Sequence, residues 1–281
     1  MPTNPVTKIT FCGFGLIGGS MALDFLKGAD KVQFFAFDKP AVLKRLRKNR
    51  KFSVTTEPIL RKAVAGSDII ILSAPHQANE SNLKRLSKIK TLTDSLIIDT
   101  GAVKLPILKL SQQLSFPDNT QFLPTHPMAG REKAGFDNSA LGLFESQCWF
   151  IDESVRLSRE NKARLGWMVK KLRIKPTFIE ATVHDQLMAE ISHLPQLIST
   201  ILGGQVATEL VQLAGPGLRS MLRLSSSPYS VWSEIIDQNR PEIIKSLENF
   251  RNNLNKVIGI VRSKDSLAKI FKASARSYEC L

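Results

Sequence analysis

The sequence predicts an α/β domain built on a parallel sheet, followed by an all-helical domain. Three observations carry that prediction. Over roughly the first half of the chain, short apolar runs at residues 9–12, 32–37, 67–73 and 95–99 alternate with helical stretches. Continuously apolar strands of this kind are covered on both faces, which is the habit of parallel sheets. The first two runs are joined by a glycine turn, Gly13-Phe14-Gly15-Leu16-Ile17-Gly18, and a helical pattern. From about Thr182 onward strand signals cease, and apolar residues recur at three- and four-residue spacing. The change of character near residues 175–182 predicts domains at residues 1–178 and 179–281.

The glycine turn is the most informative stretch. Gly13 permits the tight turn, Gly15 lets a ligand approach the backbone, and Gly18 lets the helix pack closely on the strand. The helix then offers its free N–H groups, those of Leu16, Ile17 and Gly18 included, and its positive dipole end to phosphates. Asp38 ends the second strand, twenty positions after Gly18, where an acid takes the adenine ribose hydroxyls. These features together predict a Rossmann-type dinucleotide site. Asp38 would repel a 2′-phosphate and so favours NAD, with NADP as the alternative because Lys39, Lys44 and Arg45 stand close by.

After Asp38 a basic helix runs to about Asn49, followed by a short strand at 53–55 and a helix at 58–65. The strand at 67–73 ends at Ala74-Pro75-His76, a helix occupies 83–89, and the strand at 95–99 ends at Thr100-Gly101-Ala102-Val103-Lys104. A helix at 107–114 leads to the strand 121–123, read as running on into Thr125-His126-Pro127. Later strands at 148–151 and 177–179 flank a basic helix at 159–172. Ligands of open parallel sheets sit beyond the carboxyl ends of the strands. That rule gathers Ala74, Pro75 and Thr100 with the glycine turn at the cofactor, and places His126 in the same crevice. The segment 183–210 is too long and apolar for a surface helix and reads as one core or interface helix bent at Pro195. So apolar a helical domain predicts a homodimer.

Charge and composition exclude other classes. The formal charge is +14, yet the basic residues crowd residues 39–51, 84–90 and 156–175, on helix faces with few aromatics to stack on bases. Residues 176–244 hold three arginines, no lysine and seven acids. A general field that attracts small anions fits this better than a nucleic-acid interface. No apolar run reaches the roughly 18 residues of a membrane span, and residues 1–8 lack the apolar core of a secretory signal, so the cytoplasm is the expected location. The three cysteines, Cys12, Cys148 and Cys280, are scattered and suggest neither disulfides nor a metal site.

Five groups could carry chemistry. His126, read as ending a strand on the ligand side, can accept a hydroxyl proton while hydride leaves the same carbon. His193 either satisfies a carbonyl freed by Pro195 or touches substrate. His184-Asp185 reads as a helix cap and its neighbour, and His76 as a loop residue near the crevice. Arg223 stands among apolar residues and reads as a buried guanidinium, which must meet an anion, either an acid of this chain or a substrate carboxylate.

The segments Gly13–Ser20 (GFGLIGGS), His126–Gly135 (HPMAGREKAG) and His184–Gln196 (HDQLMAEISHLPQ) closely resemble the prephenate/arogenate dehydrogenase family, and residues 217–232 do so more loosely. The resemblance implies a nucleotide-binding domain followed by a helical dimerisation domain, and the oxidative decarboxylation of prephenate to 4-hydroxyphenylpyruvate, or of arogenate to tyrosine. It implies that His126 hydrogen-bonds the ring hydroxyl and that Arg223 binds the ring carboxylate. It also implies that His193, Glu132 and Trp232 line or gate the substrate site. Gln196 stands where some members have a histidine near the substrate side chain, which leaves the two substrates open. In the family's DxxSVK segment this chain has Ala102 in place of the serine, with Thr100 as a neighbouring hydroxyl, and Ser220 and Leu222 also depart from the pattern. Any feedback by tyrosine would have to act at the active site itself. A β-hydroxyacid dehydrogenase would place a catalytic lysine early in the helical domain, where this chain has none. A non-catalytic nucleotide-binding protein is the rival from another class.

Overall fold

The computed structural model describes residues 5–27, 31–131 and 133–279. In the first half, β1 (Lys8–Cys12), β2 (Gln33–Phe37), β3 (Thr55–Thr56), β4 (Ile69–Leu72), β5 (Leu96–Asp99) and β6 (Gln121–Leu123) form one parallel sheet in the order β3-β2-β1-β4-β5-β6. The crossovers are α1 (Leu16–Phe25), α2 (Pro40–Lys48), α3 (Leu60–Val64), α4 (His76–Leu86) and α5 (Leu105–Gln112). The two faces follow from the period of two along each strand. Ile69 and Ile71 join one core cluster with Phe11, Met21 and Phe25. Ile70 and Leu72 join the other, with Leu83, Leu86 and Ile107. The order reverses beside β1, which opens a crevice at the carboxyl ends of β1 and β4.

The reading of His126 at the end of a parallel-sheet strand is corrected by the structure. β6 stops at Leu123, and His126 lies in the middle of β7 (Thr125–Pro127), in a second sheet. There β7 pairs antiparallel with β8 (Cys148–Asp152), which pairs parallel with β9 (Lys175–Ile179). Pro124 explains the switch. It has no N–H to continue the first ladder, and its carbonyl accepts the Asp152 N–H at 3.0 Å, which starts the new one. Between β8 and β9, α6 (Arg159–Leu172) is capped by Ser158 and ends in the left-handed residue Arg173. Buried Arg164 ties it to Asp94 at 3.0 Å and Asp68 at 3.4 Å.

Beyond β9 everything described is helical. α7 (Ala181–Met188) continues through a π turn over Ala189–His193 into α8 (Leu194–Gln205). The expected single helix over 183–210 is therefore interrupted and ends at Gln205. Pro195, in the first turn of α8, cannot donate to the preceding ladder, and a wider turn absorbs the lost bond. α9 (Pro216–Leu222), a short 3-10 turn over Arg223–Ser226, α10 (Tyr229–Gln238), α11 (Arg240–Ser263) and α12 (Ala268–Glu279) complete the chain. Ile244, Leu254, Val261 and Phe271 of α11 and α12 stand exposed in the protomer. Among the described residues no helix is long and apolar enough to cross a membrane.

Candidate active site

The cofactor side is built from backbone. Gly13 has φ +97° and donates its N–H to Phe37 O at 2.9 Å, and a β-carbon on it would stand 2.4 Å from Ala74 N. A β-carbon on Gly18 would stand 2.8 Å from Gly13 O and Ser73 Oγ. At Gly15 nothing lies within 4 Å, so the turn is open where a pyrophosphate would approach. The first turn of α1, with half-exposed Leu16 and Ile17, has no side-chain cap and no acid. Asp38 Oδ2 accepts the Phe14 N–H at 2.6 Å, which sets its carboxylate against the turn. A cleft of about 750 Å³, within the range of small-ligand sites, is lined by Gly13, Gly15, Asp38, Ala74 and Pro75, and from the helical half by Glu234. These features fit a dinucleotide. Thr100 lies apart from that lining: its N–H and its hydroxyl both reach Leu72 O, at 3.0 and 3.4 Å.

The other side is built from side chains. Asp185, 3% exposed on α7, accepts the N–H groups of Lys104 and Leu105 at 2.8 Å each, and so caps α5 from the helical half. The same carboxylate lies 2.8 Å from His184 Nδ1, and His184 Nε2 lies 3.0 Å from His126 Nδ1. The protons of this chain are dictated by its end. Both oxygens of this carboxylate already accept backbone N–H groups, so it accepts from the imidazole as well, and His184 donates from Nδ1 and accepts at Nε2. His126 must then donate from Nδ1, and the lone pair is left on Nε2, which has no partner among the described residues. Burial holds His126 well below the usual imidazole range, and His184, Lys104 and His193 add to the effect. His126 is thus a neutral base with its free nitrogen already in the accepting tautomer. Phe150, opposite His126 in the β7–β8 register, packs edge-on to His184 at 5.1 Å and walls the pair.

Beneath β7, buried Lys104 pairs with Asp99 and donates to Thr125 O at 2.7 Å, while Asp99 Oδ1 accepts the Thr125 N–H at 3.0 Å. A β-carbon on Gly101 would stand 3.8 Å from both His76 Nδ1 and Lys104 Nζ. The carboxyl ends of β4 and β5 therefore join the cofactor cleft to the foundations of His126.

The remaining expected residues divide. His193 is buried, and its partner is Asn239, not a carbonyl freed by Pro195: Asn239 Nδ2 reaches Asp185 O at 2.7 Å and His193 Nδ1 at 3.2 Å. Burial pushes His193 down to about 4, so it is neutral and carries its proton on Nε2. Half-buried Trp232 meets the His193 ring edge-on at 5.9 Å. Gln196 is buried, and its amide donates to Leu224 O at 2.8 Å and Thr200 Oγ1 at 3.3 Å, which ties α8 to the turn bearing Arg223. Arg223 itself departs from the expectation of burial. It is exposed on that turn and has no ion pair among the described residues, because no element of the protomer covers it. Glu132 lies outside the described residues. His76 begins α4 and is buried, with Nε2 3.0 Å from Glu80. His184 and Asp185, read as a cap, are instead the centre of the relay; their signal was an acid beside a histidine inside the long apolar segment. Asn239 and Glu234 carried no local signal.

Two family models match the chain: the nucleotide-binding domain of prephenate dehydrogenase over residues 31–163 and its dimerization domain over residues 180–273. The first begins after the glycine turn, whose reading rests on its own geometry. The chain is 28% identical over 267 residues to a prephenate dehydrogenase of Lactococcus lactis, covering 93% of this chain and 73% of the relative. It is 25% identical over 279 residues to a cyclohexadienyl dehydrogenase of Zymomonas mobilis, covering 96% and 94%. In fold it resembles the prephenate dehydrogenase of A. aeolicus solved with hydroxyphenyl propionate and NAD+, with TM-score 0.83 and 20% identity over 97% of each chain. Matched across both of its halves, the chain belongs to the prephenate dehydrogenase family.

Proposed function

We propose that the chain oxidatively decarboxylates prephenate to 4-hydroxyphenylpyruvate with NAD, and that His126 is its catalytic residue. The observation that carries this is the relay from Asp185 through His184, which leaves His126 Nε2 neutral, unpartnered and accepting. When bound, NAD accepts the hydride from the ring carbon that bears the hydroxyl. His126 Nε2 takes the hydroxyl proton as carbonyl character grows, and the imidazolium is held by His184 with Asp185 behind it. The bond to the ring carboxylate breaks, carbon dioxide leaves, and its electron pair makes the ring aromatic. His126 then returns its proton to the phenolate oxygen, so the cycle closes without exchange with water. Aromatisation drives the reaction, and the protein's part is to position and to hold one proton.

Arg223, with no ion pair among the described residues, is available for the leaving carboxylate. His193 offers an N–H and Trp232 walls the substrate side, to which the family resemblance also assigns Glu132. Asp38 with the open turn at Gly15 favours NAD over NADP; Arg45 is already paired with Asp137. The exposed apolar faces of α11 and α12 meet a second copy, making a homodimer; a monomer by light scattering would contradict that assembly. Arogenate is a second substrate to test, because the amide nitrogen of Gln196 is spent and the oxygen that remains suits an ammonium better than a keto group. NADH formation with prephenate and with arogenate, for the parent and His126→Asn, tests the reading. Turnover in the parent and its loss in a variant that still binds NAD is the expected result. A parent that binds NAD and turns over neither compound would return the chain to the non-catalytic class.

A further inference from the structure

Two carboxylates stand in a cleft otherwise arranged for anions, and only one of them has a role so far. Asp38 closes β2 beside the glycine turn. Glu234 comes from α10 in the helical half, and its Oε2 accepts the His76 N–H at 2.6 Å, at the start of α4. That helix has Pro75 at its N-cap position and no side-chain cap of its own, so Glu234 supplies one from 158 positions away. Capping uses one oxygen. Oε1 has no partner among the described residues, although Glu234 lines the cleft. A second negative charge in a pyrophosphate site is a cost unless something bound there donates to it.

A dinucleotide carries two ribose diols, one on each side of its pyrophosphate. The cleft carries two carboxylates, with the glycine turn accounting for the phosphates. We propose that Glu234 accepts a hydroxyl of the ribose on the nicotinamide side, as Asp38 does on the adenine side, and that the helical half thereby takes part in holding the cofactor. This rests on the dinucleotide reading of the cleft and not on the identity of the substrate. Glu234 is two positions from Trp232, which packs on His193.

The test uses calorimetric titration of the full chain with ADP, ADP-ribose and NAD, without substrate. ADP has only the adenine-side ribose; ADP-ribose adds the second one. Glu234→Ala is expected to weaken ADP-ribose and NAD roughly tenfold or more, the loss of one hydrogen bond to a charged group, and to leave ADP binding unchanged. Asp38→Asn is expected to weaken all three. Glu234→Gln can still accept the His76 N–H and so keeps the α4 contact; a smaller loss confined to ADP-ribose and NAD is expected. Equal weakening of ADP and ADP-ribose by Glu234→Ala would reduce the residue to a structural cap. Parent-like ADP-ribose binding in both variants would overturn the proposal outright. Both readouts are independent of turnover, so failure of the reaction assignment leaves them intact.

Discussion

The cofactor cleft and the histidine relay lie close together and are built on opposite plans. The cleft is backbone: glycines with no room or no need for a β-carbon, and a helix end left uncapped. Apart from Glu234 of α10, its described lining comes from residues 13–85, the glycine turn foremost. The relay is side chains: His126 from β7, His184 and Asp185 from α7, resting on the start of α5 and on Asn239 beyond α10. A backbone site tolerates most side-chain changes and is broken by a single methyl group. A side-chain relay tolerates small shifts of its supports and fails when one proton is misplaced.

The largest expected effect lies on the relay. His126→Asn removes the base proposed for the substrate hydroxyl, and kcat is expected to fall by about 10²–10⁴. NAD affinity should not change, and a parallel loss of NAD binding would mean that the two regions are not separate. Asp185→Asn is a subtler break. An amide can donate to His184 Nδ1, which reverses the relay and puts the proton on His126 Nε2. A drop in kcat of roughly 10² or more is expected from the wrong tautomer, with about 1–3 kcal/mol lost in denaturant unfolding because α5 loses its ionised cap. Retained kcat in a destabilised variant would show that Asp185 is only a cap.

The cleft is probed by two glycines of the same turn. Gly13→Ala meets Ala74 N at 2.4 Å with φ +97°, and a destabilisation of several kcal/mol is expected in urea unfolding. Gly15→Ala meets nothing within 4 Å, so the melting temperature should stay close to the parent's while NAD binding weakens. The reverse pattern would mean that the turn has been assigned the wrong way round.

Acid sharpens the comparison from the relay's side, since none of the described residues lining the cleft is a histidine. His193 is about 4 when folded and near 6.5 when free. Above 6.5 neither state binds the proton, and stability is whole. Between about 6.5 and 4 the unfolded chain gains a proton that the native one refuses, so stability falls as pH falls, by about 1.4 kcal/mol per unit and roughly 3 kcal/mol in all. The difference between parent and His193→Gln in urea midpoint, followed from pH 7 downward, isolates this share. The smallest effect on stability is expected at Arg223. Because Arg223 is exposed and has no ion pair among the described residues, Arg223→Ala should change unfolding by less than about 0.5 kcal/mol while raising KM for prephenate. A large loss of stability would place Arg223 in an interface between copies.

Much of this was legible in the residues, for reasons that differ by region. The sheet was legible because its central strands β1, β4 and β5 are covered on both faces and are therefore apolar nearly throughout. The span of α6 was legible because Ser158 caps it and its apolar spacing stops at Leu172. The π turn before Pro195 was read as a simple bend, since periodicity does not distinguish a kink from a widened turn. His126 was singled out as a candidate base but placed in the parallel sheet, because one proline decides which ladder continues. Arg223 was expected inside because its neighbours are apolar; in the protomer those neighbours are themselves partly or fully exposed.

By itself, the sequence determined the α/β class, the glycine turn with its acid, the onset of the helical half and the histidine to watch. Each of these depends on residues close together in the chain, where spacing and residue type translate directly into geometry. Only the tertiary structure decided the tautomer of His126, the partner of His193, the exposure of Arg223 and the reach of Glu234 to α4. Those depend on which distant side chains share a buried volume, and the 58 positions between His126 and His184 or the 158 between His76 and Glu234 carry no local trace of the contact.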